Sequence, residues 1–307
     1  MTAVQTRNGR PPEIEDVTNR LLIHPAGSWL LPRLQRRRIS PNTVSLAGLG
    51  CGLLAALFYL NYGDPAFAGT AFALMLAWHI LDGVDGRLAR LTGTASRLGK
   101  VIDGLCDYLV YIAIYVALNF AAIADYWSHF PYTRFGDHSD WLRWVASVAG
   151  ACHVVQAAIY ERQRERYMAW MRPGAAPGAA PSPAAERVAG WLEWPYVLIQ
   201  RLAGEHRHAA NLARFFALPA ELQGDVRAEY RRRFAPLLRR WAMLSANYRT
   251  VGIFVACLLG SPAYYFLFEI FGFTALLIAL LIAHARCDTA FGRYLDEQAA
   301  RTPGPMR

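Results

Sequence analysis

Four carboxylates, Asp82, Asp85, Asp103 and Asp107, fall where two strongly apolar runs meet a short polar connection. With both flanks helical, Asp82 and Asp85 are three residues apart and Asp103 and Asp107 four apart, so each pair shares one face of its helix. Two acidic pairs facing each other repel unless cations neutralise them. An all-carboxylate donor set suits a hard divalent ion, Mg²⁺ or Mn²⁺, better than Zn²⁺, which favours His and Cys. Gly86 lies one turn beyond Asp82, Ala89 one turn beyond Asp85 or Gly86, and Gly99 one turn before Asp103. A backbone bared of side chains there lets a flat or bulky ligand approach, and Arg90 offers a planar donor fork suited to a phosphate. The residues describe a metal-bound, phosphate-bearing ligand lying along a helix.

Asp82-x-x-Asp85-Gly86-x-x-Ala89-Arg90, eight residues, then Gly99-x-x-x-Asp103-x-x-x-Asp107 resembles, position for position, the signature of the CDP-alcohol phosphotransferases, the CDP-alcohol phosphatidyltransferase family. The resemblance extends more loosely over roughly residues 20 to 125 and 140 to 290. It implies transfer of a phosphoalcohol group from a CDP-linked donor to an acceptor hydroxyl, with release of CMP. It also implies two divalent ions, Mg²⁺ or Mn²⁺, held by Asp82, Asp85 and Asp103, with Asp107 sharing in metal binding or acting as general base. Gly86, Ala89 and Gly99 would line the cytidine and ribose cleft. Arg90 would bind phosphate, or brace the aspartates as an ion pair. A similar Pro-Asn-Thr recurs in the family, which makes Asn42 a candidate for the nucleotide or metal pocket; as a plain helix cap it is equally well explained. Arg249 is a candidate for binding an anionic acceptor, and a membrane anchor accounts for it equally well. The resemblance favours CDP-diacylglycerol, or another CDP-alcohol, as donor, a small polar or lipid alcohol as acceptor, and a homodimer. Two rivals are a divalent-cation transporter with an acidic conduction site and an inactive relative acting as a scaffold.

The elements that must position this motif are membrane spans. The chain of 307 residues is 54% hydrophobic, its mean hydropathy is +0.16, and several apolar runs approach the length of about 20 residues needed to cross a bilayer. The fold class expected is all-α: a polytopic membrane protein of six transmembrane helices with an N-terminal amphipathic helix and a cytoplasmic helical insertion. The net charge of +9 is read as loop charge that sets topology and attracts anionic membrane lipids. Nucleic-acid binding, which would call for a basic soluble domain, is not expected. Cys51, Cys106, Cys152, Cys257 and Cys287 are scattered, with no CxxC pair, and read as small apolar residues. A cleavable signal peptide is not expected, because the first long apolar run begins near Thr43.

In chain order, residues 1–39 form a tail and an amphipathic helix from Val17 to Arg38. Residues 40–160 hold spans one to four, the first opened by Ser40 as N-cap and Pro41 at the first helical position. His79 reads as a hydrogen-bonded packing histidine. Residues 161–242 are the insertion: a Pro/Gly/Ala linker over 173–183, then helical pieces of which the clearest places Val226, Tyr230, Phe234, Leu237 and Trp241 on one face, with a kink at Pro236. The insertion reads as an interfacial helical subdomain resting on the cytoplasmic leaflet; a small cytosolic helical insert that contacts only protein fits the same pattern. Residues 243–287 hold spans five and six, with Glu269 facing protein, and 288–307 are a polar tail. Arginine and lysine gather at the termini, in the Arg87 to Lys100 connection and in the insertion, whereas the Asp125 to Trp141 loop holds just Arg134. By the positive-inside rule the active site and both termini are expected to be cytoplasmic, and abundant arginine and alanine beside a single lysine point to a bacterial inner membrane.

Overall fold

The computed structural model describes residues 11–129, 140–171 and 204–301, and every regular element in them is helical. Short 3₁₀ and π turns, Pro12–Ile14 and Asn19–Ile23, lead into α1 (His24–Arg36). α2 (Pro41–Tyr59), α3 (Pro65–Leu91), α4 (Arg97–His129) and α5 (Asp140–Met171) follow. After the next described residues come α6 (Glu205–Phe216), α7 (Ala220–Trp241), α8 (Ala246–Leu258), α9 (Ala263–Leu267), a π-helical segment Phe268–Phe273 and α10 (Thr274–Arg301). The chain divides into two compact units. One is Asp16–His153 with Ala246–Gly272, and the other is Met1–Glu15, Val154–Ser245 and Phe273–Arg307.

Five stretches among the described residues are long and apolar enough to cross a membrane: Pro41–Tyr59, Pro65–Leu91, Ile102–Ala124, Trp141–Met171 and Ala263–Arg301. The chain is therefore an all-α, multi-pass membrane protein. The segment expected as span five is α8, whose 13 residues reach about 20 Å against a hydrocarbon core of about 30 Å. Leu46, Leu53, Leu57, Ile112, Val116 and Phe120 are exposed on α2 and α4, as lipid-facing positions should be.

In the first unit α2 is the central helix, packed most extensively on α3 and α4. Its buried face is Ser45, Gly48, Gly52, Ala55 and Ala56 with Val44 and Tyr59, a stripe of small residues that lets backbones approach closely. The approach is tightest at Gly52, where an added Cβ would sit 2.3 Å from Val110 Cγ2 on α4. Gly50, on the same helix, has nothing within 4 Å of that point. Gly52→Val is expected to lower the thermal unfolding midpoint in detergent, an overpacking cost of about 1–3 kcal/mol, while Gly50→Ala leaves it in place. Equal midpoints for the two variants would contradict the close approach.

α1 is the amphipathic helix that the sequence predicts. Ile23, Gly27 and Leu31 are buried, and Leu31 packs with Val44, Val84 and Leu88. Leu21, Trp29 and Leu22 are exposed, with Arg33 stacked over the Trp29 ring, which suits a helix lying in the headgroup layer.

In the second unit α7 packs on protein and α10 runs on past residue 288. The apolar stripe of α7 is buried in protein, with Tyr230 2% and Phe234 and Trp241 0% exposed. Trp170, Tyr230 and Phe234 stack in succession, and the Phe291 ring meets all three edge-on. The stripe is therefore covered by aromatic partners instead of headgroups. Phe291 also shows that residues 288–301 are no tail: they continue α10 and bury Asp288, Phe291, Gly292 and Leu295. The charged residues Arg293, Asp296, Glu297 and Arg301 disguise this in the sequence. α7 runs on through Pro236. The expected 173–183 linker and Arg134 lie outside the described residues, while α4 extends past Asp125 to His129. All five cysteines are free.

Candidate active site

The connection between the two halves of the motif is built from local signals. α3 ends in a Schellman turn: Gly93 takes a φ of +68°, and the Thr94 N–H donates to the Ala89 carbonyl at 3.0 Å. The Thr92 hydroxyl donates to the Leu88 carbonyl at 2.8 Å. α4 then starts on Ser96, whose Oγ accepts from the Gly99 N–H at 3.0 Å. This short reversal sets the C-terminal part of α3 against the first turns of α4.

Three of the four aspartates meet there. Asp82, Asp85 and Asp103 each offer an oxygen, and these atoms lie within 4.8 Å of one another. Asp85 is buried at 4% exposure, whereas Asp82 and Asp103 are partly open. Asp107 stands one turn beyond Asp103, near Asp82 and the buried Trp78 side chain. A trio of converging carboxylates is the donor set of a hard divalent cation. The residues fit Mg²⁺ or Mn²⁺.

The surrounding residues divide clearly. Arg90 is exposed and forms no ion pair with a described residue. Its Nη1 lies 3.4 Å from the point where a Cβ on Gly86 would stand, so the guanidinium flanks the backbone that Gly86 leaves bare. Ala89 is half-buried beside them. The same test at Gly99 finds Asn42 Oδ1 at 3.8 Å. Asn42 is thus brought from α2 to the start of α4, and the capping role belongs to Ser40, whose Oγ accepts from the Thr43 N–H at 3.2 Å.

Arg249 is engaged inside the protein. It is 0% exposed and ion-paired with Glu269, itself 0% exposed. The other Glu269 oxygen accepts from the Tyr115 and Tyr265 hydroxyls, so Glu269 does face protein. His79 also packs as expected, 6% exposed, with Nε2 2.8 Å from Thr250 Oγ1.

Ser45 is the site residue absent from the sequence reading. Its hydroxyl donates to Asp85 Oδ2 at 2.5 Å, across from α2 to α3. A signal for it exists in the sequence: Ser45 lies three residues from both Asn42 and Gly48, on the helix face that carries Gly52.

Comparison with known proteins agrees with this geometry. Residues 38–178 match the family model described as CDP-alcohol phosphatidyltransferase. A CDP-diacylglycerol–serine O-phosphatidyltransferase of Mycobacterium leprae is 39% identical over 79 residues, 25% of this chain and 25% of that protein. Cholinephosphotransferase 1 of Bos taurus is 30% identical over 122 residues, 38% of this chain and 27% of that protein. The chain thus spans about a quarter of the length of these curated relatives. No solved structure matches it.

Proposed function

We propose, from the match of residues 38–178 to the CDP-alcohol phosphatidyltransferase family model, that the chain transfers a phosphoalcohol group from a CDP-alcohol to an acceptor hydroxyl and releases CMP. The observation that carries this reading is the meeting of Asp82, Asp85 and Asp103 within 4.8 Å, beside a bare helix backbone flanked by Arg90. The donor we favour is CDP-diacylglycerol and the acceptor a small polar alcohol.

Asp82, Asp85 and Asp103 would hold Mg²⁺ or Mn²⁺, two ions in all with Asp107 at the edge of the group. Bound there, the metal supplies charge neutralisation for a pyrophosphate and its leaving group. Gly86, Ala89 and Gly99 give the cytidine and ribose room against the helices, with Asn42 at the Gly99 end. Arg90, with no carboxylate partner among the described residues, donates its fork to phosphate oxygens. Asp107 takes the acceptor's hydroxyl proton. The acceptor oxygen then forms its bond to the alcohol-side phosphorus, and the bond from that phosphorus to the bridging oxygen breaks, so that CMP leaves with that oxygen. Arg249 has a buried carboxylate partner, and contact with an acceptor would require that pair to open.

Cytoplasmic placement of the site and termini, a homodimer and contact with anionic lipids belong to the same proposal. Exposed Arg231, Arg232, Arg239 and Arg240 on α7 support the lipid contact. A transport pathway is less well supported, since the motif acids gather at one point and Glu269 is neutralised by Arg249.

The test is CMP release by the purified full chain in detergent, with CDP-diacylglycerol and a panel of alcohols, in Mg²⁺ or Mn²⁺. Release is expected with at least one alcohol and is expected to stop on chelation by EDTA. No release from any donor and acceptor pair, together with no metal-dependent binding of CDP-diacylglycerol, would overturn the proposal.

A further inference from the structure

We propose that Ser45, which lies outside the eight-residue signature, is a positioning residue that fixes the orientation of the Asp85 carboxylate for cation binding. The inference rests on reading Asp82, Asp85 and Asp103 as a divalent-cation site.

A hydroxyl has one proton to give. Ser45 Oγ has two acceptors in reach, Asp85 Oδ2 at 2.5 Å and the Pro41 carbonyl one turn back at 3.3 Å. The plain alternative is that the serine merely bonds back to its own helix, as helical serines often do. The distances decide against it, because the shorter contact goes to the carboxylate and a hydrogen bond to a charged acceptor is the stronger kind. Asp85 is also the member of the trio with least water around it, 4% exposed, and Ser45 is itself 8% exposed. A buried carboxylate without a donor would be free to turn about its side-chain bonds. The hydroxyl ties down Oδ2 and so fixes the carboxylate beside Asp82 and Asp103.

The packing of α2 gives the serine its reach. At Gly48 an added Cβ would stand 3.4 Å from Trp78 Cδ1 and 3.5 Å from Leu81 Cβ on α3. α2 therefore lies close enough for a side chain one carbon long to span the gap between helices. Partners that orient a metal ligand in this way typically contribute about 10–100-fold to metal affinity.

The test is Mn²⁺ binding to the detergent-solubilised full chain, followed by electron paramagnetic resonance without nucleotide, for wild type, Ser45→Ala, Ser45→Thr and Asp85→Asn. Ser45→Ala is expected to weaken binding by about 10–100-fold, and Ser45→Thr, which keeps the hydroxyl, to retain most of the wild-type affinity. Thermal unfolding of the metal-free proteins reports folding separately. Wild-type affinity in Ser45→Ala would overturn the proposal. So would a Ser45→Thr protein as weak as Ser45→Ala while unfolding at the wild-type temperature. Failure of the underlying cation reading is distinguishable: wild type and Asp85→Asn would then bind Mn²⁺ equally, whatever Ser45 does.

Discussion

Asp107→Asn is expected to slow CMP release by about 10²–10⁴-fold, the usual contribution of a positioned general base, while leaving Mn²⁺ affinity close to wild type. Two observations separate these effects. Asp107 is not among the three carboxylates whose oxygens converge within 4.8 Å, and it lies beside the Trp78 side chain. Asparagine keeps the shape and the contact with Trp78 but cannot accept the acceptor's proton. Asp103→Asn is expected to lower Mn²⁺ affinity and turnover together, since it removes a member of the converging trio. Single-turnover CMP release and Mn²⁺ titration on the same preparations check both. A fully active Asp107→Asn protein would remove the base from the mechanism. A large loss of Mn²⁺ affinity in that protein would make Asp107 a ligand first.

Glu269→Ala is expected to destabilise the protein by about 3–5 kcal/mol, because it removes the buried carboxylate that balances the buried Arg249 charge. Both partners are 0% exposed, and Glu269 also receives the Tyr115 and Tyr265 hydroxyls, so three donors lose their acceptor at once. The double variant Arg249→Met with Glu269→Met removes both charges and is expected to recover most of that loss, since apolar replacements of buried pairs are often neutral. Thermal unfolding in detergent measures all three proteins. If the double variant unfolds as early as the single one, the penalty does not come from the unbalanced charge.

Much of the site was legible because its chemistry is local. The spacings Asp82 to Asp85 and Gly99 to Asp103 are helical periods, and Thr92 to Ser96 carries its own stop and start signals, so the approach of Asp103 to Asp82 and Asp85 could be read from the chain. Ser45 was missed because its contact with Asp85 joins residues 40 positions apart, and no periodicity reports on a partner in another helix. Arg249 shows the same limit in reverse. Its place at the start of α8 is visible in the sequence, but Glu269 lies 20 residues on, and one arginine at a span's edge looks like any other.

The fold divides similarly. Apolar length identified the spans, and capping by Ser40 and by Asp64, whose Oδ1 accepts from the Ala66 N–H at 2.8 Å, marked where α2 and α3 begin. The covering of α7 was not readable. Val226, Tyr230, Phe234, Leu237 and Trp241 announce one apolar face, but an apolar face has the same pattern whether lipid or Phe291 lies against it.

The glycine and alanine seam along α2 makes its tolerance to change lopsided. A position that holds a hydrogen or a methyl group has almost nothing left to lose, so nearly every substitution on that side adds bulk and wedges neighbouring helices apart. On the opposite side Leu46, Leu53 and Leu57 can be traded for other oily residues with little consequence. Mutational drift in this helix is thus confined to its outward half, while the inward half acts as a fixed spacer holding the acidic residues at their working separation.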